Sequence, residues 1–217
     1  IYPIFGLMDW QAYVNAFMDG LQAASWYEWL AVAAGIISVW FSRKENIWVY
    51  PTGLINTVIY VYISARANLP GEASVNLYYT IMSVYGWWLW SRKDQMNRVV
   101  LHVTKSTERE WGQQLVFFVS CYIVIFTALV WLRKNFAPDA IPWADALASA
   151  SAYTGMWLMA RKKVESWYWW IITNVASIPL YFIKGYMVTS VYYFILLIMA
   201  ISGLVSWMAL SRKRETN

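Results

Sequence analysis

The sequence predicts an all-α integral membrane protein of seven transmembrane helices, arranged as three helices, one linker helix and three more in a parallel repeat. Three observations predict it. Of the 217 residues, 60% are hydrophobic and only 13% are charged, about half the charge of a soluble domain. Basic clusters recur at the ends of apolar stretches instead of gathering into one face. The two ends of the chain echo each other in sequence. The 16 Trp and 16 Tyr exceed what one soluble core uses, and suit interface belts or an aromatic ligand cage.

A spanning helix needs about 20 mostly apolar residues. The segments that satisfy this are 26–42, 47–66, 73–91, 111–132, 140–160, 166–183 and 186–210. Pro51 fits the first turn of the second. Pro70-Gly71 marks the turn into the third, and Pro138 and Pro142 flank the start of the fifth. Pro179 lies inside the sixth and is expected to kink or unwind it. The organisation is then an N-terminal segment 1–25 outside the membrane, a first bundle 26–91, a cytoplasmic loop 92–110, linker helix 111–132, a second bundle 140–210 and a tail 211–217. Residues 7–22 look amphipathic, and no signal peptide is read ahead of residue 26.

Orientation follows from charge. Arg43-Lys44, Arg92-Lys93, Arg161-Lys162-Lys163 and Arg212-Lys213-Arg214 end helices one, three, five and seven, which share one side. With Arg98, Lys105 and Arg109 that side holds 13 of the 17 basic residues. Positive residues stay in the cytoplasm, so the N-terminus is expected outside and the C-terminus inside. No nucleic-acid partner is implied, and lipid surrounds the helices.

The repeat is read from two matches. Trp87, Ser91, Arg92 and Lys93 match Trp207, Ser211, Arg212 and Lys213 at a shift of 120, and Arg43 with Asn56 matches Arg161 with Asn174 at 118. A three-helix unit ends on the side opposite its start, so a second unit in the same orientation needs one extra crossing. Parallel repeats of this kind place a transport site at the interface of the halves, near the midplane.

Polar residues at membrane depth face protein or a water-filled path. Asn56 and Asn174 lie near the middle of their helices; each is either a ligand-binding amide or an interhelical clamp. On helix six, Trp167, Trp170, Asn174, Ser177, Tyr181 and Lys184 fall on one face. Trp170, Asn174, Ser177 and Tyr181 are candidates to bind an aromatic ligand with a polar edge. Helix two contributes Asn56 and Tyr60, and helix three Tyr79, Tyr85, Trp88 and Trp90, with Gly86 permitting close approach. Tyr193, Gly203 and Trp207 mark helix seven. No Asp or Glu sits at the midplane, which favours a passive carrier. One His and one Cys leave no catalytic cluster, metal set or bound cofactor to expect.

Four motifs, Ser38-Val39-x-x-Ser42-Arg43-Lys44, Tyr50-Pro51-x-Gly53-x-x-Asn56-x-x-x-Tyr60, Tyr85-Gly86-Trp87-Trp88-x-Trp90, and Trp170-x-x-x-Asn174 followed by Tyr181 and Lys184-Gly185, occur in order along residues 26–214. Together they resemble the PnuC family of nicotinamide riboside transporters of the bacterial inner membrane. That resemblance implies a three-plus-one-plus-three core and facilitated uptake by alternating access. It also implies accumulation driven by a cytoplasmic riboside kinase, and homo-oligomers, with trimers among the options. It places family aromatic and amide positions on Asn56, Tyr85, Trp87, Trp88, Trp90, Asn174 and Tyr181. Riboflavin or thiamine carriers on the same scaffold, and a sugar carrier of the SWEET type, are the alternatives; an enzyme fits less well.

Overall fold

In a computed structural model of the chain, residues 10–66, 70–96, 99–135 and 141–215 are described. Eight helices are present among them: α1 (Trp10–Ala23), α2 (Trp26–Arg43), α3 (Val49–Arg66), α4 (Pro70–Ser91), α5 (Glu108–Asn135), α6 (Pro142–Ala160), α7 (Ser166–Ile183) and α8 (Met187–Glu215). The seven apolar segments of the sequence correspond to α2–α8. Helix α1 meets α2 at a bend of 106° and packs on the start of α8.

Local chemistry explains the ends. Ser25 and Glu28 form a capping box at the start of α2, and Pro142 opens α6, where no backbone N–H is needed. Pro179 neither ends nor unwinds α7, which runs unbroken through it. The proline ring removes one intrahelical hydrogen bond, but packing against α6 and α8 holds the helix.

Helices α2, α3 and α4 pack in sequence, as do α6, α7 and α8; α2 lies against α8 and α4 against α6. Helix α5 packs on α6, touches α7 where Trp169 Nε1 donates to Gln114 Oε1 at 3.2 Å and meets the Phe118 ring at 4.8 Å, and otherwise presents an apolar surface. On length and apolarity alone, α5 and α8 suffice to cross a membrane. The other helices mix Trp and Tyr, which suit membrane interfaces, with Ser, Thr, Gly and single charged residues.

The densest core lies at the end bearing the basic clusters. Tyr50, Trp90, Val103, Trp167 and Trp207 are all at most 4% exposed there. Two glycines make this possible. A methyl carbon added at Gly86 would lie 2.5 Å from Tyr50 Cζ, and one at Gly203 would lie 2.5 Å from Trp167 Cζ2 and Cζ3. The connection from α4 to α5 is tied down at the same end. Thr104 pairs with the α6–α7 turn through Thr104 N to Lys162 O and Val164 N to Thr104 O.

Candidate functional site

Helix α7 supplies the central face, because Trp170, Asn174, Ser177 and Tyr181 recur at helical spacing toward the bundle. Asn174 is 3% exposed and Ser177 1%. The buried side-chain atoms without a hydrogen-bond partner among the described residues are Tyr50 OH, Ser151 Oγ and Trp167 Nε1; the Asn174 amide is not one of them, and it takes no part in the clamps between helices. Trp170 rests on Gly155 of α6, where an added methyl carbon would lie 3.3 Å from its Cε2 and Nε1. Its ring is 6.1 Å from Tyr79 of α4, which meets Tyr78 and Tyr153 in turn. Tyr181 stacks on Tyr193 of α8 at 5.2 Å and 13°.

Asn56 is employed differently. Its Nδ2 donates to Ala31 O across to α2 at 2.7 Å. Gly35 leaves room for this amide and for the Tyr192 hydroxyl, which would lie 2.8 and 2.5 Å from a methyl carbon there. Thus Asn56 clamps α3 to α2 beside α8. Tyr60 is half-buried on the same helix, within electrostatic reach of Tyr192.

The structure therefore brings Trp170, Asn174, Ser177 and Tyr181 to one face, with Tyr79 against Trp170, and places Asn56 and Tyr60 beside Tyr192. It does not bring in the remaining three candidates. Tyr85 and Trp88 are 41% and 57% exposed on the outer surface of α4, where Arg92 stacks 5.1 Å from the Trp88 ring. They face away from the centre because the buried face of α4 is taken by Ser83, Gly86 and Trp90. Trp90 is buried, but its Nε1 donates to Ala160 O at 3.1 Å within the basic-end core. Tyr192 and Tyr153 are neighbours of the site that the sequence patterns do not single out.

The electrostatics of the centre come from neutral groups. Charges pair at the two ends: Lys184 with Asp145 at 2.7 Å, and Lys162 with Glu45 at 2.9 Å. Burial pulls the Lys162 ammonium below its ordinary range, partly offset by its Glu45 partner. No group of three or more potential metal ligands occurs among the described residues. The central rings are in contact in this conformation. A cavity of about 420 Å³ lies at the basic end, lined by Glu45, Trp90, Lys93, Val99 and Lys162 among others.

Comparison with known proteins gives a consistent set of findings. The family model described as nicotinamide mononucleotide transporter matches residues 25–209. The nicotinamide riboside transporter PnuC of Escherichia coli (strain K12) is 26% identical over 216 residues, covering 88% of each chain. The riboflavin/roseoflavin transporter RibM of Streptomyces davaonensis is 22% identical over 200 residues and 92% of each chain. The crystal structure of the vitamin B3 transporter PnuC superposes with a TM-score of 0.66 at 22% identity, covering 96% of this chain and 94% of that one, and so shares its fold.

Proposed function

This chain belongs to the nicotinamide mononucleotide transporter family, and from that premise we propose that it takes up nicotinamide riboside across the bacterial inner membrane by facilitated transport. The observation that carries the proposal is the α7 face on which Asn174, 3% exposed, lies between the Trp170 and Tyr181 rings. Nicotinamide riboside joins a flat cationic ring to a ribose. Trp and Tyr faces attract such a cation by about 0.5–2 kcal/mol. The Asn174 amide can pair with the carboxamide or the hydroxyls. A centre without carboxylates suits a passive carrier whose net accumulation depends on phosphorylation by a cytoplasmic kinase. Neither a cofactor nor a nucleic acid enters the scheme, and a homo-oligomer in the lipid is the expected assembly.

The proposed architecture is seven spans in a three-plus-one-plus-three repeat, α2–α4 and α6–α8 with α5 between, the N-terminus outside and the basic clusters in the cytoplasm. Contacts support the repeat and revise its register. Ser42 with Met159 and Glu45 with Lys162 touch one another at a separation of 117. The same shift carries the Tyr50–Gly86 contact onto Trp167–Gly203, and the Asn56-to-Ala31 bond onto Thr173-to-Ala148. The shifts of 118 and 120 read from identities align residues by chemistry at the helix ends; the shift of 117 aligns them by packing. The halves rocking about this axis is the proposed alternating access.

Riboflavin is the second reading, favoured by the likeness to RibM over 92% of the chain. Isothermal titration of the purified protein with nicotinamide riboside, riboflavin, thiamine and glucose decides between them. Binding of the riboside alone is expected. Asn174→Ala should weaken it by about 1–3 kcal/mol, roughly 5- to 150-fold, and Trp170→Ala by a similar factor, whereas Asn56→Ala acts chiefly on stability. Unchanged affinity in both Trp170→Ala and Asn174→Ala would remove the site.

A further inference from the structure

The turns that end α2 and α6 are built alike. Each closes its helix with a capping N–H, from Lys44 and from Arg161, onto the carbonyls just before it. Each then places a non-glycine residue in the left-handed region, Glu45 at φ 55° and Lys162 at φ 53°. Such residues are uncommon and cluster where structure serves function. These two are bonded to each other. Lys162 Nζ lies 2.9 Å from Glu45 Oε1, with side chains 4% and 14% exposed, and 4.4 Å from the centre of the Trp90 ring. Arg214 reaches the second Glu45 oxygen at 3.3 Å.

Beneath this ion pair the two bundles cross-brace. Trp90 of α4 donates to Ala160 O at the end of α6, and Trp207 of α8 donates to Ser42 O at the end of α2, at 3.1 and 3.0 Å. Four rings run without interruption from one bundle to the other. Tyr50 to Trp90 is 5.1 Å, Trp90 to Trp207 is 6.2 Å and Trp207 to Trp167 is 5.5 Å. Trp167 lies one helical turn from Trp170, so the layer stands directly between the candidate site and the basic face. By contrast, the Lys184–Asp145 pair at the other end joins α7 to α6 within one bundle.

We propose that the Glu45–Lys162 pair and the crossed Trp90 and Trp207 indoles are the gate of the transport path on the basic face, shut in this conformation. The gate rests on the transport reading above for its purpose, but not on the identity of the substrate. Its contacts join α2 and its turn to α6 and α8, and α4 to α6. A rocking motion of one bundle against the other must therefore break them together, while the ion pair at the opposite end travels with its own bundle. The cavity of about 420 Å³ meets Glu45, Trp90 and Lys162 from the basic face and brings solvent up to the closed layer.

The test uses a reporter beyond the gate. Ser177 is 1% exposed, on the candidate face of α7 and farther from the basic end than Trp167 and Trp170. Ser177→Cys in a Cys121→Ala background is exposed to a membrane-impermeant thiol reagent in inside-out and right-side-out vesicles. The double variant Glu45→Gln/Lys162→Met leaves no buried charge unpaired and is the safest to fold. It should label about tenfold faster or more from the basic face, with no gain from the other face. Lys162→Arg, which keeps the pair, should label at the parent rate. Equal rates in the parent and the double variant would overturn the gate, as would acceleration of the same size from both faces. The labelling readout needs no substrate, so failure of riboside binding and failure of the gate are separate results.

Discussion

Substituting Gly203 by Ala tests whether the aromatic layer is as tightly closed as its geometry states. The new methyl carbon would lie 2.5 Å from Trp167 Cζ2 and Cζ3, whereas carbon pairs settle at about 3.5–4.0 Å. The indole must therefore retreat by about 1 Å. It has nowhere to go, because Trp167 is 2% exposed and the fully buried Trp207 ring stands edge-on at 5.5 Å. Overpacking of this kind costs about 1–3 kcal/mol, and a ring backed by another ring belongs at the upper end. Ala regains about 1 kcal/mol of helix propensity. The net loss should be about 1–2 kcal/mol, roughly 5- to 30-fold in the folded-to-unfolded ratio. Reversible denaturation in mixed micelles, followed by circular dichroism, measures it. Gly112→Ala is the control, since nothing lies within 4 Å of its added methyl carbon; it should be neutral or slightly stabilising. Trp167→Phe, which removes the clashing outer carbons, should recover part of the loss in the Gly203→Ala background. If Gly203→Ala proves as stable as Gly112→Ala, the layer is not closed as described.

Two further outcomes concern the connection between α4 and α5. Glu165 is 5% exposed, and its Oε2 accepts hydrogen bonds from Ser106 N and Oγ at 2.9 and 2.8 Å. Glu165→Ala should cost about 2–3 kcal/mol, as expected for losing hydrogen bonds to a charged group, and should open residues 99–107 to protease; unaltered protection there would contradict the role. Glu110 is pushed up by partial burial, but its bonds to Lys163 and to the Thr107 N–H outweigh this and hold the carboxyl below its ordinary range. The folded-state value is lowered, so its contribution is complete above the ordinary carboxylate pKa and is lost as pH falls through the lowered one. The difference in melting temperature between the parent and Glu110→Gln should therefore shrink on acidification through that window. A difference that does not vary with pH would show that the Lys163–Glu110 brace is not what shifts the group.

The helix set was legible because apolar length, basic clusters and prolines are local signals, and α2–α8 begin and end within a few residues of the segments read from them. Pro179 does not unwind α7, since a proline's local cost can be carried by neighbouring helices. The α7 face was legible because helical periodicity alone aligns Trp170, Asn174, Ser177 and Tyr181. Its neighbours Tyr192 and Tyr153 were not, because contact across helices leaves no fixed spacing in one chain. Helix α4 shows the limit most clearly. It carries aromatic residues on several faces, and nothing within the helix says which face turns outward. Packing against Tyr50 settles it by burying Gly86 and Trp90 and leaving Tyr85 and Trp88 outside.

The proposed repeat also gives a reason why one amide, not two, enters the proposed site. At a shift of 117, the partner of Asn56 is Thr173, and both make the same clamp, to Ala31 O and to Ala148 O. The partner of Asn174 is Thr57, whose hydroxyl accepts a hydrogen bond from Thr80 at 2.9 Å. The second bundle thus gives the clamping duty to Thr173, which releases the neighbouring Asn174 from a structural role. Steric space is exchanged in the same way. Gly53 faces Ser38 in the first bundle, whereas at the corresponding places Trp170 faces Gly155 in the second. The large ring exists only where the opposing residue has no side chain to displace. Two bundles packed alike would then present an asymmetric centre, with the Trp170 ring and the Asn174 amide from α7, and clamps and hydroxyls from α3. The proposed centre would take a ligand with one aromatic end and one hydroxylated end in a single orientation. This predicts that exchanging Gly53, Asn56 and Thr57 for their α7 counterparts, as Gly53→Trp with Asn56→Thr and Thr57→Asn, would leave the titration stoichiometry at one ligand per chain, because Ser38 still occupies the space that Gly155 leaves open; a stoichiometry of two would refute it.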